Sequence, residues 1–156
     1  MAQEIERKFL VVSNQFKKEA GSKIRIIQGY LAMKPEATVR VRIAGKQAFL
    51  TIKGISINNN TTRYEWEKEI DIEEARELLI LCGNQIIEKY RYELQKGNFT
   101  FEVDEFLGDN QGLIVAEIEL ENEDDRFEKP LWLGDEVTQD VSYFNTMLLQ
   151  KPFAAR

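Results

Sequence analysis

Five short stretches of this chain repeat one pattern: two charges of the same sign, two positions apart, with an apolar or aromatic residue between them. They are Glu4/Glu6, Arg40/Arg42, Glu65/Glu67, Lys89/Arg91 and Glu117/Glu119. A two-residue period belongs to β-strands, where side chains two apart share a face. Lys8 extends the first face, Lys53 ends a further strand, and Asp104 lies beside Val103 on another. The opposite parity carries Ile5 and Phe9, Val39 and Val41, Tyr64 and Trp66, Tyr90 and Tyr92, Ala116 and Ile118. Any one of these pairs reads as the solvated face of a half-buried antiparallel strand. The set reads differently. Like charges on one face repel, and a surface shaped only for solubility intersperses its signs.

The chain reads mostly as strands: Glu4–Val12, Lys23–Ala32, Thr38–Ala44, Gln47–Lys53, Arg63–Ile70, Ile86–Leu94, Asn98–Phe106 and Leu113–Glu121. Gly97-Asn98 marks a tight hairpin, and Ser56–Thr62 is a polar, Asn-rich loop. Eight strands with short connections predict an antiparallel barrel or a strongly curved sheet. One helix is expected after Asp71, which has capping-box spacing to Glu74, ending at Gly83. Another is expected from Asp140 through Gln150, and a short one near Asn14–Ala20. No linker or low-complexity tract divides residues 1–156, so one mainly-β, α+β domain is predicted.

Acid pairs suit a hard divalent cation such as Mg²⁺ or Mn²⁺, which takes oxygen ligands. Base pairs suit phosphate oxygens, with Arg as a planar fork and Lys as a point charge. A polyphosphate carrying a metal needs both. All these groups converge if the sheet closes with its charged face inward, around a wet cavity, because a dry one would cost several kcal/mol per ion. A barrel with an ordinary apolar interior fits the same alternation, with the aromatics inside. Periodicity alone leaves both open.

Composition narrows the chemistry. The chain has 0 His, which removes imidazole bases, Ser–His or Cys–His nucleophiles and His-ligated zinc. Its single Cys82 excludes a disulfide framework and reads as a small buried hydrophobe. A net charge of −6 argues against a basic nucleic-acid surface. With no run of transmembrane length and no signal-like start, no membrane is expected and a cytoplasmic location is. Tyr64, Trp66, Tyr90 and Tyr92, if outward, lie under helices or in a homodimer interface.

At Glu4-Ile5-Glu6-Arg7-Lys8 the chain resembles the CYTH superfamily, the triphosphate tunnel metalloenzymes, whose first strand carries Glu-x-Glu-x-Lys. The likeness runs almost end to end. It includes Gln28-Gly29-Tyr30-Leu31, Thr38–Arg42, Leu50–Gly54, Arg63–Glu67, Lys89–Tyr92, Glu102-Val103-Asp104, Ala116–Leu120, and Val137-Thr138 with Tyr143 and Asn145. The resemblance implies a closed eight-stranded antiparallel barrel around a charged tunnel, with a few helices packed outside. It implies a Mg²⁺- or Mn²⁺-dependent hydrolase that splits a small-molecule triphosphate. Within the family, the Glu-Ile-Glu-Arg-Lys-Phe-Leu opening is most similar to short single-domain bacterial inorganic triphosphatases. Nucleoside or thiamine triphosphate hydrolysis on the same site is the alternative, as is a non-catalytic polyphosphate-binding module. A class IV-like adenylate cyclase is disfavoured, since no His-Phe pair precedes the motif.

Position by position, the resemblance implies Glu4, Glu6, Glu117 and Glu119 as metal ligands. It implies Lys8, Arg40, Arg42, Lys53, Lys89 and Arg91 as phosphate-binding bases. Glu65, Glu67 and Asp104 match tunnel acids that orient bases or waters. Lys8 with Tyr30 is implied as the pair that accepts or relays the proton of the attacking water.

Overall fold

The computed structural model describes residues 3–34 and 36–155. Its strands are β1 (Gln3–Val11), β2 (Ser22–Lys34), β3 (Ala37–Ala44), β4 (Gln47–Gly54), β5 (Thr62–Ile70), β6 (Ile86–Lys96), β7 (Phe99–Phe106), β8 (Ile114–Glu119) and the short β9 (Leu133–Glu136). The helices are α1 (Phe16–Glu19), α2 (Ile72–Leu81) and α3 (Asn145–Gln150). The sheet runs β5-β4-β3-β2-β6-β7-β8-β1, and β1 also pairs with β5, so eight antiparallel strands close on themselves. This is the expected barrel. The strand that sequence reading missed is β9, which pairs with β1 at Phe9 and Val11, beyond the β1–β5 contact at residues 3–5. It thereby completes a seam that β5 covers only in part.

The barrel is built with its main apolar cores outside. One core joins Phe9 of β1, Tyr92 and Leu94 of β6, Phe101 and Val103 of β7, and Ala116 and Ile118 of β8. Phe16 of α1 plugs this face, edge-on to Tyr92 and Trp132 at 5.2 and 6.0 Å. A four-residue helix has no stability of its own; burial of Phe16 fixes it. The second outer core lies under α2, where Ala75 meets Val41 and Ala48. Asp71 precedes α2, but its side chain makes no capping bond, so the helix is held by that apolar face. Of the four tyrosines and tryptophans expected to face outward, Tyr92 is covered by α1, whereas Trp66 stays 40% exposed.

Gly29, on the outer side of β2, is where α2's end comes closest. A Cβ there would stand 2.7 Å from Cys82 Sγ and 2.8 Å from Ile86 Cδ1. Cys82 is buried as expected, and that burial pushes its thiol up. Gly29→Ala is therefore expected to destabilise the protein by about 1–3 kcal/mol through overpacking. A melting curve checks this; an unchanged midpoint would show that α2 shifts freely.

The inner face changes character along its length. Inward positions Ile87, Phe106 and Val115 form an apolar cluster with Leu113 and Leu148 of α3 at one end. The segment expected as one helix from Asp140 is split. Asp140 caps a 3-10 turn at Val141–Tyr143, accepting from Ser142 N, and α3 begins only at Asn145. The break at Phe144 sets Phe144, Asn145 and Thr146 against the cavity.

Candidate active site

Beside the apolar end, the bore holds a cavity of about 210 Å³ lined almost wholly by charged side chains. Thirteen of the fourteen residues singled out from sequence line it: the acids Glu4, Glu6, Glu65, Glu67, Glu117 and Glu119, the bases Lys8, Arg40, Arg42, Lys53, Lys89 and Arg91, and Tyr30. The fourteenth, Asp104, lies buried just behind, 2.7 Å from Lys89 Nζ and 2.8 Å from Arg91 Nε. The charged parity thus faces inward, and Trp66 does not.

Register explains how the sequence pattern becomes two walls. Glu6 stands opposite Glu119, Lys8 opposite Glu117, and Glu117 opposite Glu102 across β1, β8 and β7. Arg40 and Arg42 on β3 face Tyr30 and Gln28 on β2. A bulge at Leu31 puts Tyr30 opposite Arg40 but Ala32 opposite Val39. The extra residue reverses the strand's parity just beyond the site and keeps Tyr30 turned inward.

Most bases meet an acid. Lys53 Nζ lies 2.7 Å from Glu4 and 3.4 Å from Glu65, and Arg63 Nε donates to Glu4 at 3.0 Å. Lys8 Nζ lies 3.6 Å from Glu117 and 4.5 Å above the Phe144 ring. Arg40 Nη2 is 3.8 Å from Glu67, while its Nε is buried with no partner. Lys8 and Tyr30 share no hydrogen bond among the described residues; the Tyr30 hydroxyl accepts from Gln28 Nε2 at 3.1 Å.

Two groups of titrations are displaced. On the basic wall, burial with Arg91 and Arg42 nearby lowers Lys89 to about 7, against the pull of Asp104. Burial with Arg40 and Arg91 lowers Arg42 to about 9. On the acidic wall, burial and neighbouring Glu117 raise the Glu6 carboxyl well above its usual range. Glu117 is held well below, because Lys8 and the hydrogen bond from Glu6 outweigh its burial. Shielding from bulk water and the adjacent Glu102 raise Glu119 to about 7. Both raised carboxyls, Glu6 and Glu119, thus stand against another carboxylate.

Those contacts test whether a metal suits the site. Among the described residues no three carboxylates already stand at coordinating distance of one point. Yet Glu6 against Glu117 and Glu119 against Glu102 are crowded carboxyl groups, with Glu6 and Glu119 pushed above the usual range. A cation between such groups would relieve the repulsion, so the donor set fits a hard, oxygen-ligated divalent cation.

Sequence reading missed Arg63, Glu102, Thr38 and Gln28. All four share the inward parity of residues that it chose, so extending each face by one step would have found them. Phe144 and Thr146 had no such signal, since a turn and not a strand presents them.

A barrel whose bore sets a wall of bases against a wall of acids defines a class: a tunnel that suits a compact polyanion together with a cation. The chain belongs to the CYTH domain family, whose model matches residues 2–148. It is 45% identical over 154 residues to the inorganic triphosphatase of Acetivibrio thermocellus, covering 98% of this chain and 97% of that protein. It is 35% identical over 150 residues to the inorganic triphosphatase of Nitrosomonas europaea, covering 93% and 95%. The crystal structure of an inorganic triphosphatase matches with a TM-score of 0.68 at 32% identity, over 96% of this chain and 95% of that one.

Proposed function

We propose that this chain hydrolyses inorganic triphosphate to pyrophosphate and orthophosphate, with Mg²⁺ or Mn²⁺ bound by Glu4, Glu6, Glu117 and Glu119. The observation that carries this is the bore: seven bases and seven acids face one cavity of about 210 Å³. That volume lies below the roughly 300–1,000 Å³ of sites for drug-sized ligands. It suits three phosphoryl groups better than a nucleotide, and among the described residues its aromatic lining is limited to Tyr30 and Phe144. The relatives named inorganic triphosphatase support the same reading.

Phosphoryl transfer needs positioning and charge stabilisation more than covalent chemistry, which suits a site without a special nucleophile. A bound divalent cation supplies charge neutralisation on phosphate oxygens and lowers the pKa of bound water. Arg40, Arg42, Lys53, Lys89 and Arg91 bind the anion and stabilise charge on the phosphoryl group in flight. Lys8 with Tyr30 accepts or relays the proton of the attacking water as its oxygen bonds to phosphorus and the P–O bridge to the pyrophosphate leaving group breaks. Released orthophosphate from tripolyphosphate, ATP and thiamine triphosphate, each with Mg²⁺ and Mn²⁺, is the test. Tripolyphosphate is expected to turn over fastest, and no turnover with either metal would end the proposal.

The alkaline side of the pH profile follows from Lys89. Its ammonium is the form that binds phosphate, and in the empty bore it loses its proton near pH 7. At saturating metal, kcat/KM is therefore expected to fall as pH rises above about 7. Tripolyphosphate binding at pH 8 takes up a proton, because the anion raises the Lys89 pKa. Calorimetry in two buffers of different ionisation enthalpy measures this uptake; proton release would refute it.

A further inference from the structure

Five of the six proposed phosphate-binding bases each have a carboxylate within 4 Å: Lys8 with Glu117, Arg40 with Glu67, Lys53 with Glu4, and Lys89 and Arg91 with Asp104. Arg42 has none among the described residues. Its Nε and Nη2 both donate to the side-chain carbonyl of Gln28, at 3.0 and 2.9 Å. Gln28 is fully buried and sits directly across the β2–β3 ladder from Arg42.

The rest of the amide is also engaged. Nε2 donates to the Tyr30 hydroxyl at 3.1 Å and to Asn145 Oδ1 at 3.2 Å, and Asn145 Oδ1 accepts from Lys89 Nζ at 3.1 Å. Because a guanidinium only donates, the Gln28 oxygen must face Arg42 and its NH₂ must face Tyr30. The hydroxyl of Tyr30 then accepts from Gln28 and has its own proton free to point elsewhere.

We propose that Gln28 is a positioning residue, holding Arg42 in place with a neutral acceptor so that its whole charge remains for the substrate anion, while orienting the Tyr30 hydroxyl. A carboxylate at position 28 would fix the guanidinium equally well but neutralise it, and phosphate would then have to displace an ion pair. The other bases each carry such a partner, whereas Arg42 does not. This makes Arg42 the base of the six whose charge no carboxylate among the described residues neutralises. The inference rests on the triphosphate reading of the site, and its test separates the two.

The experiment compares wild type with Gln28→Glu, Gln28→Leu and Arg42→Gln, and with Gln28→Glu combined with Arg42→Gln. Tripolyphosphate turnover with Mn²⁺ and the rise in melting temperature caused by tripolyphosphate alone are both read. Gln28→Glu is expected to raise KM at pH 8 at least ten-fold with a smaller change in kcat. The deficit should shrink as pH falls and the new carboxyl regains a proton, since it then donates to Tyr30 again. In the Arg42→Gln background, Gln28→Glu should change KM no further. Gln28→Leu, which carries no acceptor, should lower kcat as well as raise KM, and it serves if Gln28→Glu does not fold.

Wild-type KM and pH profile in Gln28→Glu, or additive effects in the double variant, would overturn the assignment. A wild type that is stabilised by tripolyphosphate without hydrolysing it would end the hydrolase reading alone. In that case the melting shifts of the same variants decide on Gln28.

Discussion

Glu6→Gln is expected to remove metal-dependent phosphate release, by about 10²–10³-fold or more, and at the same time to raise the melting temperature. Both effects come from one contact. Glu6 is crowded by Glu117, burial and that neighbour push its carboxyl well above the usual range, and it stands directly across from Glu119. Glutamine keeps the size and still offers a donor to Glu117, but it carries no carboxyl whose ionisation the buried neighbour opposes. Relief of a like-charge cross-strand contact stabilises by roughly 0.2–1 kcal/mol. For a domain of this size that is about 0.4–4 °C. Titration with Mn²⁺ followed by a melt shows the other side: wild type gains stability with metal, and Glu6→Gln gains much less. A variant that keeps its turnover, or loses it only by unfolding, would remove Glu6 from the metal set.

This trade explains why the barrel is built as it is. Its interior holds charges that contribute little to folding, so stability must come from elsewhere. The aromatic cluster around Phe16, Phe101 and Trp132 and the α2 contact on Val41 and Ala48 lie on the outer surface of the sheet. The inward apolar residues are confined to one end, where Leu148 of α3 covers Ile87, Phe106 and Val115. The remaining bore is left for ions, where close pairs such as Lys53 with Glu4 and Arg91 with Asp104 offset part of the cost of burial.

Alternation carried most of this information before any coordinates. Arg40-Val41-Arg42 fixes which residues share a face, because a strand has a period of two. It does not say which face is inside; closure of β5 on β1 decides that, and closure is a long-range fact with no local signature. Family resemblance supplied it here. Helix α2 was legible from its apolar face and Gly83, although the expected Asp71 cap is not engaged. The stretch between β8 and β9 was not legible, since it has no period: it carries Phe127 and Trp132 into the outer core as irregular chain. The Leu31 bulge was hidden for a related reason. Parity counting assumes uninterrupted pairing, and one extra residue breaks the count without changing composition.

Asp104→Asn should produce the largest loss of stability of any single change in the bore. Asp104 is 3% exposed, accepts two hydrogen bonds from Arg91 at 2.8 and 2.9 Å, and lies 2.7 Å from Lys89. Burial alone would raise its pKa, but Arg91 and Lys89 overcome that and hold it at about 2. Asparagine preserves the shape, cancels the charge and turns an amide NH₂ toward groups that only donate. Breaking a buried ion pair from one side costs about 3–5 kcal/mol, which corresponds to roughly 6–20 °C in melting temperature. The pH dependence has a definite sign. A carboxyl with a lowered folded pKa stabilises fully above its unfolded value and loses that contribution as protons bind. The difference between wild type and Asp104→Asn should therefore be largest near pH 5, shrink as Lys89 loses its proton toward pH 7, and close as pH falls from near 4 toward 2. Tripolyphosphate offers a check independent of fold, because its oxygens can take over the neutralisation that Asp104 provides. Ligand should raise the melting temperature of the variant at pH 6 by more than it raises that of wild type. Equal shifts would show that Asp104 supports the strand pair without holding the charge of Lys89 and Arg91 in place for the anion.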